Sequence, residues 1–513
     1  MRQYMPIPVL MLATIFCTAR PAGAQSRTFY ISYSTGSNSN PGTQAAPWKT
    51  HPYMSTGTGC TGSGAGPSYS HQAGDHFIFK GGDTWPGACL PLSIKASGTV
   101  SAGDYYGVDK SWFEAGAWTR PKFDAQYTNV NNMVNANGIT YVTIDGIEFA
   151  HQGIAPSTSF STSSCGIFFG QVGYGGWRTG TIIEDVYIHD WAVTSNLNPL
   201  PAANFDNICI GGIMGVAEVS KVEISGAGAY AYWQNAKVDE PFGGGVSFAG
   251  EVKDSKIHDG WNGCTTTASC HDNDFYGIEQ NSLAGDVGVH SQVIEDNEPC
   301  PTTPGNKMAV YNNVIHDNRA GVNIFVRYFA DVYNNVMWNN TNNNQIRLCV
   351  PDSDNASSVG HVFNNTMDVA GGNEGGVAIA ERTNGTSGAL GTLYIQNNIV
   401  VNGTTVFAIS AATEHYSNNY AMTSSEALAH GFTSATQYAP TSSDTNVTSS
   451  GVNFTAACAS LIALCHDAGG AFWFGGSYVA RPSTGSWMLG AFASGAQSVA
   501  TPAAPTGLIA VLQ

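Results

Sequence analysis

Through the second half of the chain one pattern recurs, an apolar, β-favouring run interrupted by a pair of asparagines. It reads Val310-Tyr-Asn-Asn-Val314, Val332-Tyr-Asn-Asn-Val336, Val362-Phe-Asn-Asn-Thr366, Tyr394-Ile-Gln-Asn-Asn-Ile399 and Tyr416-Ser-Asn-Asn-Tyr420. The second asparagine falls at 313, 335, 365, 398 and 419, intervals of 22, 30, 33 and 21 residues. Units this short cannot bury their own apolar faces and must stack on their neighbours. Asparagines at the same turn of successive coils can hydrogen-bond to those above and below, satisfying amide and backbone groups at the bend. The pattern predicts a β-solenoid.

Apolar strands alternating with Gly or Asn-Asp turns extend the reading over residues 141–420 as the central coils. Representative strands are Thr181–Ile188, Val219–Ile224, Val252–Ile257, Gly321–Val326 and Gly376–Ile379. Residues 25–140 are expected to supply a first strand, a cap and the first coils. Residues 421–499, rich in Ser, Thr and Ala without a clear period, are expected to close the solenoid as a loose coil or lateral loop. A tail follows at 500–513.

Several segments carry a resemblance: Phe29 to Thr50 with its Asn-Pro-Gly turn, Asp75-His-Phe-Ile-Phe-Lys-Gly-Gly-Asp83, Leu92–Thr99, Tyr141–Phe149 and Arg481–Phe492. Together they resemble secreted right-handed parallel β-helix proteins of the pectate-lyase-like superfamily. The resemblance implies an all-β, right-handed parallel β-helix with an N-terminal cap and an irregular C-terminal closing region, and a carbohydrate-active enzyme. These segments belong to the scaffold, and one scaffold hosts many chemistries.

Composition narrows the class. With 60 Gly and only 11% charged residues, and no amphipathic helical stretch of convincing length, helix-rich classes lose ground. Arg2, the apolar run from Pro6 to Ala19 and the small residues Ala22-Gly-Ala24 predict a signal peptide over 1–24, cleaved after Ala24, and a secreted protein. No later stretch approaches a membrane span. Ten cysteines remain beyond the leader, an even set in an oxidising compartment. Cys264/Cys270, Cys458/Cys465, Cys60/Cys89, Cys165/Cys209 and Cys300/Cys349 are plausible pairs, although spacing alone leaves the connectivity open.

Loss of Arg2 and Arg20 with the leader leaves 18 basic against 37 acidic residues, a net of −19. Such a surface repels polyanions and argues against nucleic acid. A neutral or mildly acidic polysaccharide suits it better, bound by a monomer.

Alternate strand residues of a β-helix point inward. Aligning the Gly-apolar starts of successive coils sets Val246, Ile278, Val322, Ile346 and Val377 inward and stacks Ser247, Glu279, Asn323, Arg347 and Ala378 outward. A coil is about 4.8 Å thick, so Glu279, Asn323 and Arg347 would reach one sugar ring. With His271-Asp-Asn-Asp274, Tyr276, His290, Arg319 and Arg327, residues 271–347 are the richest stretch in ionisable groups.

Two reactions suit that stretch. Elimination on a uronate needs a cation against the carboxylate and a base for the C5 proton. Asp272, Asp274 and Glu279 offer Ca2+ its hard oxygen ligands, and Arg347, Arg319, His290 or Tyr276 a base or anion clamp. Hydrolysis needs two carboxylates, drawn from Asp272, Asp274 and Glu279. Asn323, Arg327 and Trp261 are the expected substrate-binding groups. Against both stands a structural reading, with the acidic cluster a solvated turn and Glu279 paired to Arg347. His189, His258 and His316, in three Ile-His-Asp triplets, read as stacking, hydrogen-bonded turn residues. Trp191, Trp261 and Trp338 read as sugar platforms or lateral packing. A secreted polysaccharide lyase or glycoside hydrolase is therefore expected, the alternative being a non-catalytic glycan-binding or adhesion protein.

Overall fold

The structure, a computed structural model, describes residues 26–493 apart from 63–64, 115, 155–163, 171–175, 197–208, 234–235, 239–242, 280–290, 297–306, 328, 342–343, 351–358, 370–374, 382–390, 404–412, 441–449 and 475. The signal segment, the 500–513 tail, His290 and Cys300 lie outside the described residues.

Three long sheets wind into a right-handed parallel β-helix. Sheet 1 runs over thirteen described strands from Thr28–Ile31 to Thr413–Ser417, sheet 2 over twelve from Thr84–Pro86 to Tyr420–Met422, and sheet 3 over ten from Leu92–Ser93 to Gly375–Glu381. One coil shows the path: Ala309–Tyr311 in sheet 1, Val314–His316 in sheet 2, Val322–Arg327 in sheet 3, then Asp331–Tyr333 back in sheet 1 beside its starting strand. Strands of sheets 1 and 2 are mostly three residues long in the central coils, so only the middle residue points inward. Those residues are Cys270, Val310, Val332 and Val362 in sheet 1 and Phe275, Ile315, Met337 and Met367 in sheet 2, all fully buried. Their side chains pile coil on coil into one continuous core.

Between sheets 1 and 2 the chain turns on two residues. The first adopts a left-handed conformation, as at Asn312 (φ 55°), Asn334 (57°), Asn364 (54°), Asn397 (61°) and Asn418 (58°). Asn and Asp bear this conformation better than other residues with a Cβ. The second points inward, and its amide donates to the next: Asn313 Nδ2 to Asn335 Oδ1 at 3.0 Å, Asn335 to Asn365 at 2.9 Å, Asn365 to Asn398 at 3.0 Å and Asn398 to Asn419 at 2.9 Å. Each acceptor oxygen also takes the backbone N–H of the coil before it. The ladder begins one coil earlier, where Asn273 Nδ2 donates to Asn313 at 3.1 Å and Asn273 Oδ1 accepts from Ser255 N at 3.0 Å.

Disulfides Cys60–Cys89, Cys165–Cys209, Cys264–Cys270 and Cys458–Cys465 are formed. Cys264 lies in sheet 3 and Cys270 in sheet 1, both fully buried, so their bond crosses the interior. Beyond Met422 a capping box, with Thr423 and Glu426 bonded reciprocally, starts the helix Ser424–Ala429. The chain then folds back along the corner between sheets 1 and 2. Phe454, Leu461, Leu464 and Trp487 cover Tyr333 and Phe363, and Arg481 donates to Asn334 Oδ1 at 3.1 Å. At the far end of this cover Tyr478 donates to Asp272 Oδ1 at 2.8 Å and Trp473 Nε1 to the Asp272 carbonyl at 3.1 Å. No helix among the described residues is long and apolar enough to cross a membrane.

Candidate functional site

With the middle residue of each sheet 2 strand buried, the two flanking residues face outward in columns. One runs Lys122, Glu148, Tyr187, Glu223, Lys256, Asp274, Val314, Val336; the other includes His189, Ser225, His258, Tyr276, His316, Trp338. Above these columns lies a groove of about 640 Å³, bordered by corner residues Asp185, Lys221 and Asp254 and by Ser434, Gln437 and Trp473 of the C-terminal cover.

Rings stack face to face along the second column and turn their edges to the groove. His258 stacks on Tyr276 (centroids 4.5 Å), Tyr276 on His316 (5.4 Å) and His316 on Trp338 (4.6 Å), all within 20° of parallel. Gly277 follows Tyr276 with φ 61°, where a Cβ would lie 2.4 Å from Asp259 Oδ1, so only glycine fits that corner.

Each histidine of the Ile-His-Asp triplets sits between two carboxylates. His189 Nδ1 meets Asp190 at 2.5 Å and Nε2 meets Glu148 at 3.2 Å. His258 is held by Asp259 (2.7 Å) and Glu223 (3.3 Å), and His316 by Asp317 (2.6 Å) and Asp274 (3.1 Å). Burial opposes charging these rings, but the paired carboxylates outweigh it and raise all three pKa values, that of His189 to about 9. The rings are therefore imidazolium cross-links with both nitrogens engaged.

Two groove carboxyls differ in environment. Burial works against ionising Glu223, yet the His258 hydrogen bond and the Lys256 charge hold its pKa below the ordinary value. Burial pushes the Asp254 carboxyl up, reinforced by the Asp272 charge. Asp254 occupies the left-handed corner position (φ 49°) one coil beyond Glu223 and two residues before Lys256, the register partner of Glu223. One coil and two residues put the two backbones roughly 8 Å apart. Burial and the charges of Asp274, Asp259 and Glu223 push the Tyr276 phenol up, so it stays a proton donor. The cations are engaged: Arg120 with Asp185 at 2.5 Å, Lys221 with Glu184 at 2.6 Å, and Lys256 with Glu223 at 3.9 Å and over the Tyr276 ring at 5.0 Å.

The column expected from Gly-apolar starts is corrected by the register of sheet 3. Val246, Cys264, Ile294, Ile324, Ile346 and Val377 are aligned, so Ser247, Thr265, Glu295, Phe325, Arg347 and Ala378 flank them. Gly277-Ile278 is a turn after sheet 2, not a strand start, and Val322 pairs two residues away from the assumed position. Arg347 consequently lies over Phe325 at 5.5 Å, while Glu279 forms a bridge to Arg319, 3.8 Å apart and largely exposed. Asn323 is buried and donates to Gln345 at 2.6 Å, Arg327 is buried against Asp296 at 2.8 Å, and Trp261 lies in the core. None of these three offers a sugar-binding surface. Asp272 and Asp274 diverge, the first to His271 and Tyr478, the second to His316. Asp272-Asn273 is one more corner of the Asn-Asn kind, and its side chains serve the turn, the ladder and the C-terminal cover. Among the described residues, Tyr276 alone of the expected catalytic groups lines the groove, with Asp274 beside it. Among the described residues no group of three or more His, Cys, Asp or Glu can hold a metal. Glu223 and Asp254 were missed, though the Ile-His-Asp triplets carry the phase of sheet 2 and point to both columns.

No family model matches the chain, and no curated protein matches it. Solved structures similar to it are the GH136 lacto-N-biosidase from Eubacterium ramulus (11% identity, 77% of this chain and 68% of that one, TM-score 0.39), a rhamnogalacturonan lyase (13%, 78% and 88%, 0.31) and the pectate lyase Pel9A (13%, 92% and 97%, 0.33). At such identities and scores the likeness carries nothing about substrate or chemistry. The described architecture is that of a parallel β-helix protein.

Proposed function

We propose that the chain is a secreted glycoside hydrolase that cleaves a neutral or mildly acidic polysaccharide in the sheet 2 groove. One observation carries this reading: two groove carboxyls, Glu223 and Asp254, are driven apart in proton affinity by their surroundings, the arrangement that separates a base from an acid. Asp254 holds its proton and gives it to the leaving glycosidic oxygen, while ionised Glu223, fixed by His258, takes a proton from the attacking water. Both carboxyls line the one groove on neighbouring coils, and the anomer of the released sugar reads whether hydrolysis inverts or retains. The Tyr276 ring presents its edge and hydroxyl to the groove, its faces being taken by His258 and His316, and Trp473 of the C-terminal cover stands at the border.

Elimination is less well supported, because each groove cation already has a carboxylate partner and Asp272, Asp274 and Glu279 do not converge on a Ca2+ position. Four disulfides fit export to an oxidising compartment. A second reading, non-catalytic glycan binding, is favoured by the saturation of His316, the histidine that lines the groove. The test is a panel of neutral and acidic polysaccharides, read for reducing ends and for the ultraviolet absorbance of unsaturated uronates, with and without chelator. Reducing ends without absorbance, indifferent to chelator, support hydrolysis. Chelator-sensitive absorbance would replace it with elimination, and bound polysaccharide without products would leave the binding protein.

A further inference from the structure

A second cavity, of about 560 Å³, opens on sheet 3, within the range of about 300–1,000 Å³ usual for small-ligand sites. It rests on none of the chemistry proposed for sheet 2. Its wall contains Asn129, Asn131, Asn132, Asn135, Asn137 and Phe168, and no ionisable side chain. Asn135 and Phe168 are register partners on adjacent strands, facing outward beside the buried Val134 and Ile167.

Much of the amide capacity there is unspent. Asn131 and Asn137 are exposed and their amides bond to no described group, while Asn132 and Asn135 use only Oδ1, for Cys165 N at 2.8 Å and Asn137 N at 3.4 Å. Asn132 is itself more than nine-tenths buried, so its remaining Nδ2 donors have the cavity as their outlet. A carboxamide presents a donor and an acceptor side by side, matching two neighbouring hydroxyls. Several such groups, with no charge to complement an anion or cation, suit a neutral pyranose: hydroxyls to the amides, with only the edge of the largely covered Phe168 ring at the wall.

We infer that this cavity is a binding subsite for a neutral saccharide, separate from the cleavage groove. Amide hydrogen exchange of the full chain, with and without saturating glucose, galactose, mannose, xylose or glucuronate, locates the contact. Slowed exchange across residues 126–140 is expected with at least one neutral sugar, absent with glucuronate, and lost in the double variant Asn131→Ala, Asn137→Ala. Both substitutions are at exposed positions, and an unchanged unfolding midpoint checks the fold. No protection of that segment by any of the four neutral sugars, protection by glucuronate, or protection that persists in the double variant would overturn the assignment.

Discussion

The imidazolium cross-links of sheet 2 make a definite demand on pH. His189, with its side chain 12% exposed, has its pKa carried from 6.5 to about 9 by Asp190 and Glu148 against the opposing effect of burial. At about 1.4 kcal/mol per tenfold change in proton affinity, that rise corresponds to about 3 kcal/mol. A group whose folded pKa is raised stabilises the fold fully below its unfolded value, here near 6.5, and the contribution disappears as pH climbs through about 9. His258 and His316 shift in the same direction and add to the effect. Urea unfolding followed by circular dichroism at pH 6 and pH 9.5, on the wild type and on His189→Gln, isolates the term. The wild type should lose most of about 3 kcal/mol more than the variant over that interval. Equal losses, or a wild type more stable at pH 9.5, would refute the cross-link reasoning.

Removing a ladder amide should be costly: Asn335→Ala abolishes bonds to Val310 O, Asn365 Oδ1 and two Asn313 donors. With each stranded buried group worth about 1–3 kcal/mol, a loss of about 3–5 kcal/mol is expected by urea titration. Trp338→Ala, which empties a buried position between His316 and Tyr438, should lower the unfolding free energy by about 3–5 kcal/mol in a urea titration. In the pH profile of kcat/KM, Asp254→Asn should erase the basic limb, because the proton held by the raised carboxyl is the one lost there.

What could be read from the chain follows from how local each signal is. The Asn-Asn corner is a two-residue device whose left-handed first residue and inward second residue are written side by side, so the solenoid and its stacking direction were legible. Register in sheet 3 depends on which strand starts neighbour each other across segments 280–290 and 297–306, and no local signal separates the Gly277-Ile278 turn from a Gly-apolar strand start. That slip displaced Glu279 and Asn323 from Arg347. Corner Asp272-Asn273 reads as chemistry because Asp substitutes for Asn in the left-handed position while looking, in sequence, like an acidic ligand. Glu223 and Asp254 share a groove only across coils, with one in a strand and the other at a corner, a diagonal relation visible only once the strands are in register.

Steady-state hydrolysis by Glu223→Gln and Asp254→Asn, on the polysaccharide the panel selects, tests the central claim most directly. Loss of the base or the acid should each lower kcat by about two to four orders of magnitude with unfolding midpoints close to the wild type. Turnover within about twofold of the wild type in either variant would contradict the assignment of the groove as a hydrolytic site.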